Sequence, residues 1–506
     1  MGTIAVQEVG EALRLRAPEL LGVTDTPGGV VALTDKAGAV FEFAAGTAGG
    51  RELTPRDVMN VGSVAKPYVS ACVFRLAELG RVDLDAPASG YLPFALRNPL
   101  GGPAVTLRHL LTHTAGFATD TFDASWTRET GYYERELQAG RTHEYDGVRF
   151  RWADKVGERY IYSSFGVGLA GRAVAHVMGK PFAACVRELF LDPLGMHETA
   201  WPGDPSWDEI AARRVPGHLR LGATTLTAPM VTSGSPEACE LVTSPADHLR
   251  FLRALWNEGE AGDGARVLGR ESVTALLSPQ VKNILFGLDL GWMGHSVQFR
   301  NTGRPDFFYG HGGGFPFQGW AESRVYPELG FAGAAFDRKW EVYRHIDPPE
   351  SVFAGIMLDW AARWMLKGEV PPSNRLSLAS GWPYAVGLVV GERYMGSLGL
   401  RIVTDEAMVA LLKGRITAAD DRFDEWDEDQ FLAGVLAMER TGGDPAQIAA
   451  VLDDPGSPVG REELEMLSLA WGAARPTDML LVRGLADPSG VPEQFRHIAP
   501  HDRAAR

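Results

Sequence analysis

Ser63 and Lys66 stand three residues apart in Asn60-Val-Gly-Ser-Val-Ala-Lys-Pro67, where an apolar, strand-like stretch gives way to a long helical pattern. On a helix, positions i and i+3 share a face, so the lysine amine comes to lie beside the serine hydroxyl and can take its proton. A serine hydroxyl is inert at neutral pH without a base or a positive field, and a helix N-terminus also offers backbone N–H groups to a developing oxyanion. Alone, Ser-x-x-Lys is a weak pattern, because two polar residues at a helix start are ordinary. A serine–lysine nucleophile further requires a second proton shuttle and an oxyanion hole, which call for a tyrosine and a glycine-bearing strand. Both occur downstream: Tyr160-Ile-Tyr-Ser-Ser164 offers Tyr162, and Gly310-His-Gly-Gly-Gly314 offers His311 and a run of unhindered backbone N–H groups.

Regular elements must bring these groups together. Val30-Val-Ala-Leu-Thr34 and Ala39-Val-Phe-Glu-Phe43, separated by Asp35-Lys-Ala-Gly38, predict a β-hairpin ahead of the serine. The helix after the serine carries Val69, Val73, Leu76 and Leu79 at helical spacing and stops at Gly80. A polar, aromatic-rich segment to about residue 155 reads as loops and short helices. Phe165 to Met178 reads as a small-residue helix ending at Gly179, and Ser244 (N-cap), Pro245 (N1) and Asp247 (N3) start another, with Leu249, Leu252 and Leu255 behind them. Phe307 to Phe336 is strand-like with glycine-rich turns, and Ser351 to Leu366 is one strongly apolar helix.

The 506 residues are 45% hydrophobic and 22% charged, which predicts a soluble globular chain with a sizeable core, divided into residues 1–368 and a second unit, 369–506. A net charge of -15 without any basic cluster argues against a nucleic-acid partner. Cys72, Cys185 and Cys239 are odd in number and lack metal-ligand spacing, so they are expected to be buried reduced thiols, with no metal and no cofactor. Met1-Gly-Thr-Ile-Ala-Val-Gln-Glu8 shows no basic n-region followed by an apolar h-region, and no run of about 18 apolar residues occurs; a cytoplasmic location and no membrane partner are expected. Beyond Gly368, Pro371-Pro-Ser-Asn374 reads as a linker. The helical patterns after it predict a C-terminal helical domain that covers the site or forms a homodimer. The acidic run from Asp420 to Asp429 lacks the glycine and spacing of an EF-hand and reads as a solvated helix approach.

In its motifs the chain resembles the serine hydrolases related to class C β-lactamases and D-Ala-D-Ala peptidases, a family that includes esterases, D-aminopeptidases and acyltransferases. The family pattern of Ser-x-x-Lys, then Tyr-x-Asn, then Lys-Thr-Gly or His-x-Gly looks like Ser63-Val-Ala-Lys66, Tyr162-Ser-Ser164 and His311-Gly-Gly313, in that order. Further segments similar to the family are Gly80-Arg-Val-Asp-Leu-Asp85, His109-Leu-Leu-Thr-His-Thr-Ala-Gly116, Pro193-Leu-Gly-Met196, Leu241-Val-Thr-Ser-Pro-Ala-Asp247 and Tyr326-Pro-Glu-Leu-Gly330. The likeness covers about residues 10 to 368. It implies an α/β (α+β) fold: an antiparallel sheet flanked by helices, an all-helical subdomain inserted between the serine helix and the His311 strand, and the nucleophile in the cleft between them.

The resemblance implies that Ser63 is the acylated nucleophile and Lys66 its hydrogen-bonded partner. Tyr162 would be base for acylation and acid for the leaving group, assisted by the Lys66 ammonium. The backbone N–H groups of Ser63 and Gly314 would form the oxyanion hole. His311 would orient substrate or Tyr162, and Gly312 and Gly313 would let the strand backbone approach the substrate. Ser164 stands where β-lactamases carry an asparagine that grips the substrate amide; its shorter reach favours esters or acyl transfer over β-lactams. Glu240 is read as a surface charge, with a substrate contact as the alternative. His109 and His113 are expected to hydrogen-bond backbone and hold their loop, and Cys72 to be core. Phe307, Phe308, Tyr309, Phe315, Phe317 and Trp320 divide between acyl pocket and strand core in a way the sequence leaves open.

The expected function is hydrolysis of a small-molecule or short-peptide ester or amide through an acyl-enzyme at Ser63. The alternatives are an acyltransferase or peptide-releasing cyclase that hands the acyl group to an amine or alcohol, and a non-catalytic sensor or binding module. His311-Gly-Gly-Gly-Phe315 and Met395-Gly-Ser-Leu-Gly399, with His497 beyond, also resemble α/β-hydrolase motifs. Position 395 is not glycine there, and that assignment leaves the N-terminal motifs unexplained.

Overall fold

Gly28–Asp35 (β1) and Phe331–Asp337 (β9) are buried along almost their whole length, the signature of strands covered on both faces. Alternate side chains serve two different cores. Val30, Ala32, Ala332, Ala334 and Phe336 enter one cluster, and Val31, Leu33, Phe331 and Ala335 enter the other. The computed structural model describes residues 6–24, 26–117, 143–145, 148–150, 152–221, 224–227, 235–285, 288–315, 319–340 and 353–368. The expected C-terminal helical domain, its linker, the acidic run, Ser397, His497 and Phe317 lie outside them.

Among the described residues the main sheet has nine strands. Between β1 and β9 in the chain come Val40–Ala48 (β2), Arg51–Glu52 (β3), Val281–Leu285 (β4), Leu288–Met293 (β5), Gln298–Arg300 (β6), Phe308–Phe315 (β7) and Gly319–Tyr326 (β8). Their order across the sheet is β4-β5-β6-β7-β8-β9-β1-β2-β3, with antiparallel neighbours throughout. The chain thus closes N-terminal and C-terminal strands side by side, so that β1 pairs with β9 from Gly29↔Asp337 to Asp35↔Phe331.

One face is covered by Val6–Val23 (α1) and Phe353–Lys367 (α5). Helix α1 buries Val6, Val9, Leu13, Ala17 and Leu20, and α5 buries Phe353, Ile356, Met357, Trp360 and Ala361, each set following the helical period. The other face carries Lys66–Glu78 (α2), Ser164–Met178 (α3) and Pro245–Trp256 (α4). Tyr68 on α2 stacks on Phe251 of α4 with ring centroids 3.8 Å apart, and its hydroxyl lies 2.9 Å from Nδ1 of buried His248. Helix α3 ends at Gly179 in the left-handed conformation, and α4 begins with Ser244 Oγ accepting from the Asp247 amide, both as the sequence predicts.

The region between α2 and β7 is not all-helical. His143–Tyr145 pairs with Val148–Phe150, and His218–Leu221 pairs with Thr224–Thr227 and, in parallel, with Lys339–Trp340. The threonine-rich stretch at 224–227 favours the pleated conformation that helical patterning of its surroundings conceals. Among the described residues no helix is long and apolar enough to cross a membrane.

Behind the sheet, the Arg324 guanidinium is fully buried. It contacts Glu322 at 3.2 Å, Asp359 at 2.6 Å and the Tyr326 hydroxyl at 3.0 Å, and lies 4.5 Å from the Phe308 ring centre. This cluster ties β8 to α5. Arg324→Ala is expected to destabilise the fold by about 3–5 kcal/mol, because it strands the buried Glu322 carboxylate and leaves the half-buried Asp359 without its counter-charge. Denaturant unfolding of the variant against the parent measures the difference.

Candidate active site

Met59–Asn60 pairs with Val242–Thr243, and the Val61 amide donates to the Leu241 carbonyl at 3.0 Å. These bonds pin the residues just before the serine. Asn60 Oδ1 then accepts from the Gly62 amide at 2.9 Å, which bends the chain into a short turn. Gly62 has φ +52, and a Cβ there would sit 2.3 Å from the Gly314 carbonyl oxygen, so glycine is required twice over. Ser63 lies in the 3₁₀ turn Gly62–Ala65, and Lys66 is the first residue of α2. In 3₁₀ geometry, residues i and i+3 eclipse, which aligns the two side chains more closely than the expected α-helical turn. Pro67 follows near the helix start, where its missing N–H costs nothing.

Lys66 is completely buried, with Nζ 2.6 Å from Ser63 Oγ, 3.3 Å from the Ala238 carbonyl oxygen and 3.8 Å from Cys239 Sγ. Tyr162 Oη lies 2.8 Å from the same Ser63 oxygen, and Lys66 Nζ is 5.1 Å from the Tyr162 ring centre. Ser63 Oγ is therefore held by two groups that can each donate or, when deprotonated, accept a proton.

Strand β7 closes the other side. An ideal Cβ at position 313 would lie 2.1 Å from the Val61 carbonyl oxygen and 2.9 Å from the Ser63 nitrogen, so Gly313 permits the strand to pack on the serine turn. Gly312 faces the opposite way, towards Glu322. A side chain at either position would therefore meet the protein itself, the serine turn at 313 and the Glu322 carboxylate at 312. The backbone of Gly314 lies against Gly62, beside the Ser63 amide, the pair expected to form the oxyanion hole.

His311 is fully buried, with Nδ1 2.5 Å from the Gly312 carbonyl oxygen and its ring 6.3 Å from that of Tyr162. Burial, reinforced by the Lys66 charge, pulls its pKa down to about 3. His113 is likewise held well below the ordinary imidazole range by burial and by Lys66 and His311. Both rings are neutral at physiological pH. Ser164 is the buried first residue of α3, while Ser163 Oγ caps that helix by accepting from the Gly166 amide at 3.2 Å.

The structure gathers Ser63, Lys66, Tyr162, His311, Gly313 and Gly314 around the serine turn and settles several other open readings. Glu240 is 2% exposed rather than a surface charge. Its neighbours Cys239 and Leu241 are pinned by contacts to Lys66 and Val61, and its carboxylate partly offsets the burial that lowers Arg214 to about 10. Tyr309 joins the core on the site face, whereas Phe308 and Trp320 pack on the opposite face with Tyr326 and α5. His109 closes a capping box with Thr106, as its expected holding role requires. The contact of Ala238 and Cys239 with Lys66 has no sequence signal, because it spans more than 170 residues. Cys72, Cys185 and Cys239 are buried thiols outside any disulfide. Among the described residues no group of three or more His, Cys, Asp or Glu side chains could hold a metal ion.

The fold and this site define a β-lactamase-fold serine hydrolase class. The Beta-lactamase family profile matches residues 17–336, and the chain belongs to that family. It is 30% identical over 311 residues to Penicillin-binding protein 4 of Amycolatopsis lactamdurans, covering 59% of this chain and 77% of the relative. It is 31% identical over 195 residues to Esterase EstB of Burkholderia gladioli, covering 34% and 46%. The D-amino acid amidase of Ochrobactrum anthropi SV3 superposes with a TM-score of 0.58 at 19% identity, covering 71% of this chain and 99% of that one, a likeness of fold.

Four buried imidazoles set a pH dependence. His113 and His311, with His248 at about 3 and His295 at about 4, remain neutral in the folded state well below the ordinary value of 6.5. Above that value both states are neutral. As pH falls from 6.5 towards 4, the unfolded chain takes up protons that the folded chain refuses. Stability is expected to fall by up to about 1.4 kcal/mol per pH unit for each ring. Glu237 and Asp247, whose carboxyls burial pushes up, offset part of this in the same window. Thermal unfolding between pH 7 and 4 checks the direction.

Proposed function

We propose that this chain hydrolyses a small-molecule or short-peptide ester or amide in the cytoplasm through an acyl-enzyme at Ser63. The observation that carries the reading is the double contact on Ser63 Oγ, 2.6 Å from Lys66 Nζ and 2.8 Å from Tyr162 Oη. Tyr162, acting as the base beside the Lys66 ammonium, takes the Ser63 proton as Oγ bonds to the acyl carbon. The backbone amides of Ser63 and Gly314 hold the oxyanion. The bond to the leaving alcohol or amine then breaks, and the proton on Tyr162 passes to it. Water attacks the acyl carbon with Tyr162 again as base, the carboxylic acid leaves, and Ser63 regains its proton.

With His113 and His311 neutral, Lys66 supplies the positive charge in contact with both reacting groups. His311 shapes the wall beside Tyr162 as an uncharged ring. The Ser164 hydroxyl reaches less far than an amide side chain, which supports esters as the preferred substrates over β-lactams. Relatives named as an esterase and an amidase, and a family of serine hydrolases, support the same chemistry.

A fluorophosphonate probe is expected to label Ser63 and to leave Ser63→Ala untouched. Tyr162→Phe is expected to slow hydrolysis of an activated ester by about 100-fold or more. Ser397→Ala is expected to behave as the parent. Labelling that persists in Ser63→Ala, or disappears in Ser397→Ala, would refute the assignment. Adding an amine to the ester assay measures how the acyl group partitions between water and a second acceptor.

A further inference from the structure

We infer that His113 is a positioning residue for Tyr162, gripping the segment from both sides of the tyrosine while its ring supports the phenol ring. This rests on the role proposed for Tyr162. The His113 carbonyl accepts from the Ile161 amide at 2.8 Å, and His113 Nδ1 accepts from the Ser163 amide at 3.1 Å. The residues immediately before and after Tyr162 are therefore bonded to one histidine. Its imidazole lies against the Tyr162 ring, centroids 4.5 Å apart and planes inclined by 33°, with Tyr160 edge-on at 5.6 Å.

The arrangement carries two costs that packing alone would not retain. His113 adopts φ +58, a left-handed conformation uncommon for residues with a side chain. The bond to the Ser163 amide makes Nδ1 the acceptor and leaves the proton on Nε2, which is buried without a hydrogen-bond partner among the described residues. Strained backbone and an unsatisfied donor concentrate where a structure over-determines one side chain's position. Here that side chain is Tyr162, whose oxygen must stay within hydrogen-bond reach of Ser63 Oγ. The neutral ring also leaves the charge at the phenol to Lys66.

His113→Asn separates the contributions. An asparagine tolerates positive φ, and its Oδ1 occupies the place of Nδ1, so the bond to the Ser163 amide can survive while the ring is lost. His113→Ala loses both. With p-nitrophenyl butyrate as substrate, and rates normalised to fluorophosphonate-reactive Ser63, His113→Ala is expected to lower kcat about 10- to 100-fold with KM nearly unchanged. His113→Asn is expected to recover much of that loss.

Parent-like normalised kcat in His113→Ala would overturn the inference, as would an Ala defect that Asn does not relieve or a defect confined to KM. Parent turnover that does not depend on Ser63 is a different result: it overturns the proposed function and the positioning role with it.

Discussion

A fully buried lysine ammonium is the constraint on which this site depends. Removing such a charge from water costs several kcal/mol after relaxation unless polar groups replace the solvent. Lys66 finds them in Ser63 Oγ, the Ala238 carbonyl, the Cys239 sulfur and the face of Tyr162. These belong to a 3₁₀ turn, a short helix at Pro236–Cys239 and the approach to α3, so satisfying one charge fixes the relative positions of separate segments. The geometry at Ser63 and the stability of its surroundings are consequently two aspects of one interaction. Displacing any of these segments would expose or strand the ammonium.

Backbone contact supplies the second restraint. Gly62 and Gly313 let the serine turn and β7 approach to a separation that no side chain permits. The strand is itself held in register, with His311 opposite Ser323 and Gly313 opposite Ala321 on β8. On the far face, Glu322 and Arg324 of β8 connect to Asp359 on α5. The cleft wall is thereby anchored to the opposite layer of the molecule through a single strand. Neutral histidines complete the electrostatics: buried rings at 113 and 311 fill space beside Tyr162 without adding charge that would compete with Lys66.

Membership of the Beta-lactamase family accounts for the shared scaffold, and a scaffold of this kind does not by itself fix the substrate. On that scaffold, Cys239 places a polarizable sulfur beside the lysine, and Ser164 is the buried first residue of α3.

Much of the fold was legible because its determinants are local. The hairpin around Asp35-Lys-Ala-Gly38, the capped start of α4 at Ser244 and the glycine stop of α3 at Gly179 each depend on residues within one or two turns of chain. Helix α1, with Val6, Val9, Leu13, Ala17 and Leu20 at helical spacing, was not among the predicted elements, because no chemical motif lies near it. The strand pairing at 218–227 was hidden because short polar strands carry little periodic signal.

By itself the sequence determined the residue types and order of the site: Ser63, Lys66, Tyr162 and the His311-Gly-Gly-Gly strand, each recognisable from neighbours within a few positions. Tertiary structure alone decided that Ala238 and Cys239 receive the lysine, that His113 rather than His109 lies against Tyr162, and that Glu240 is buried. The physical reason is chain separation. Those contacts join residues far apart in the chain, and their energies come from burial and electrostatics that exist only once the layers have closed.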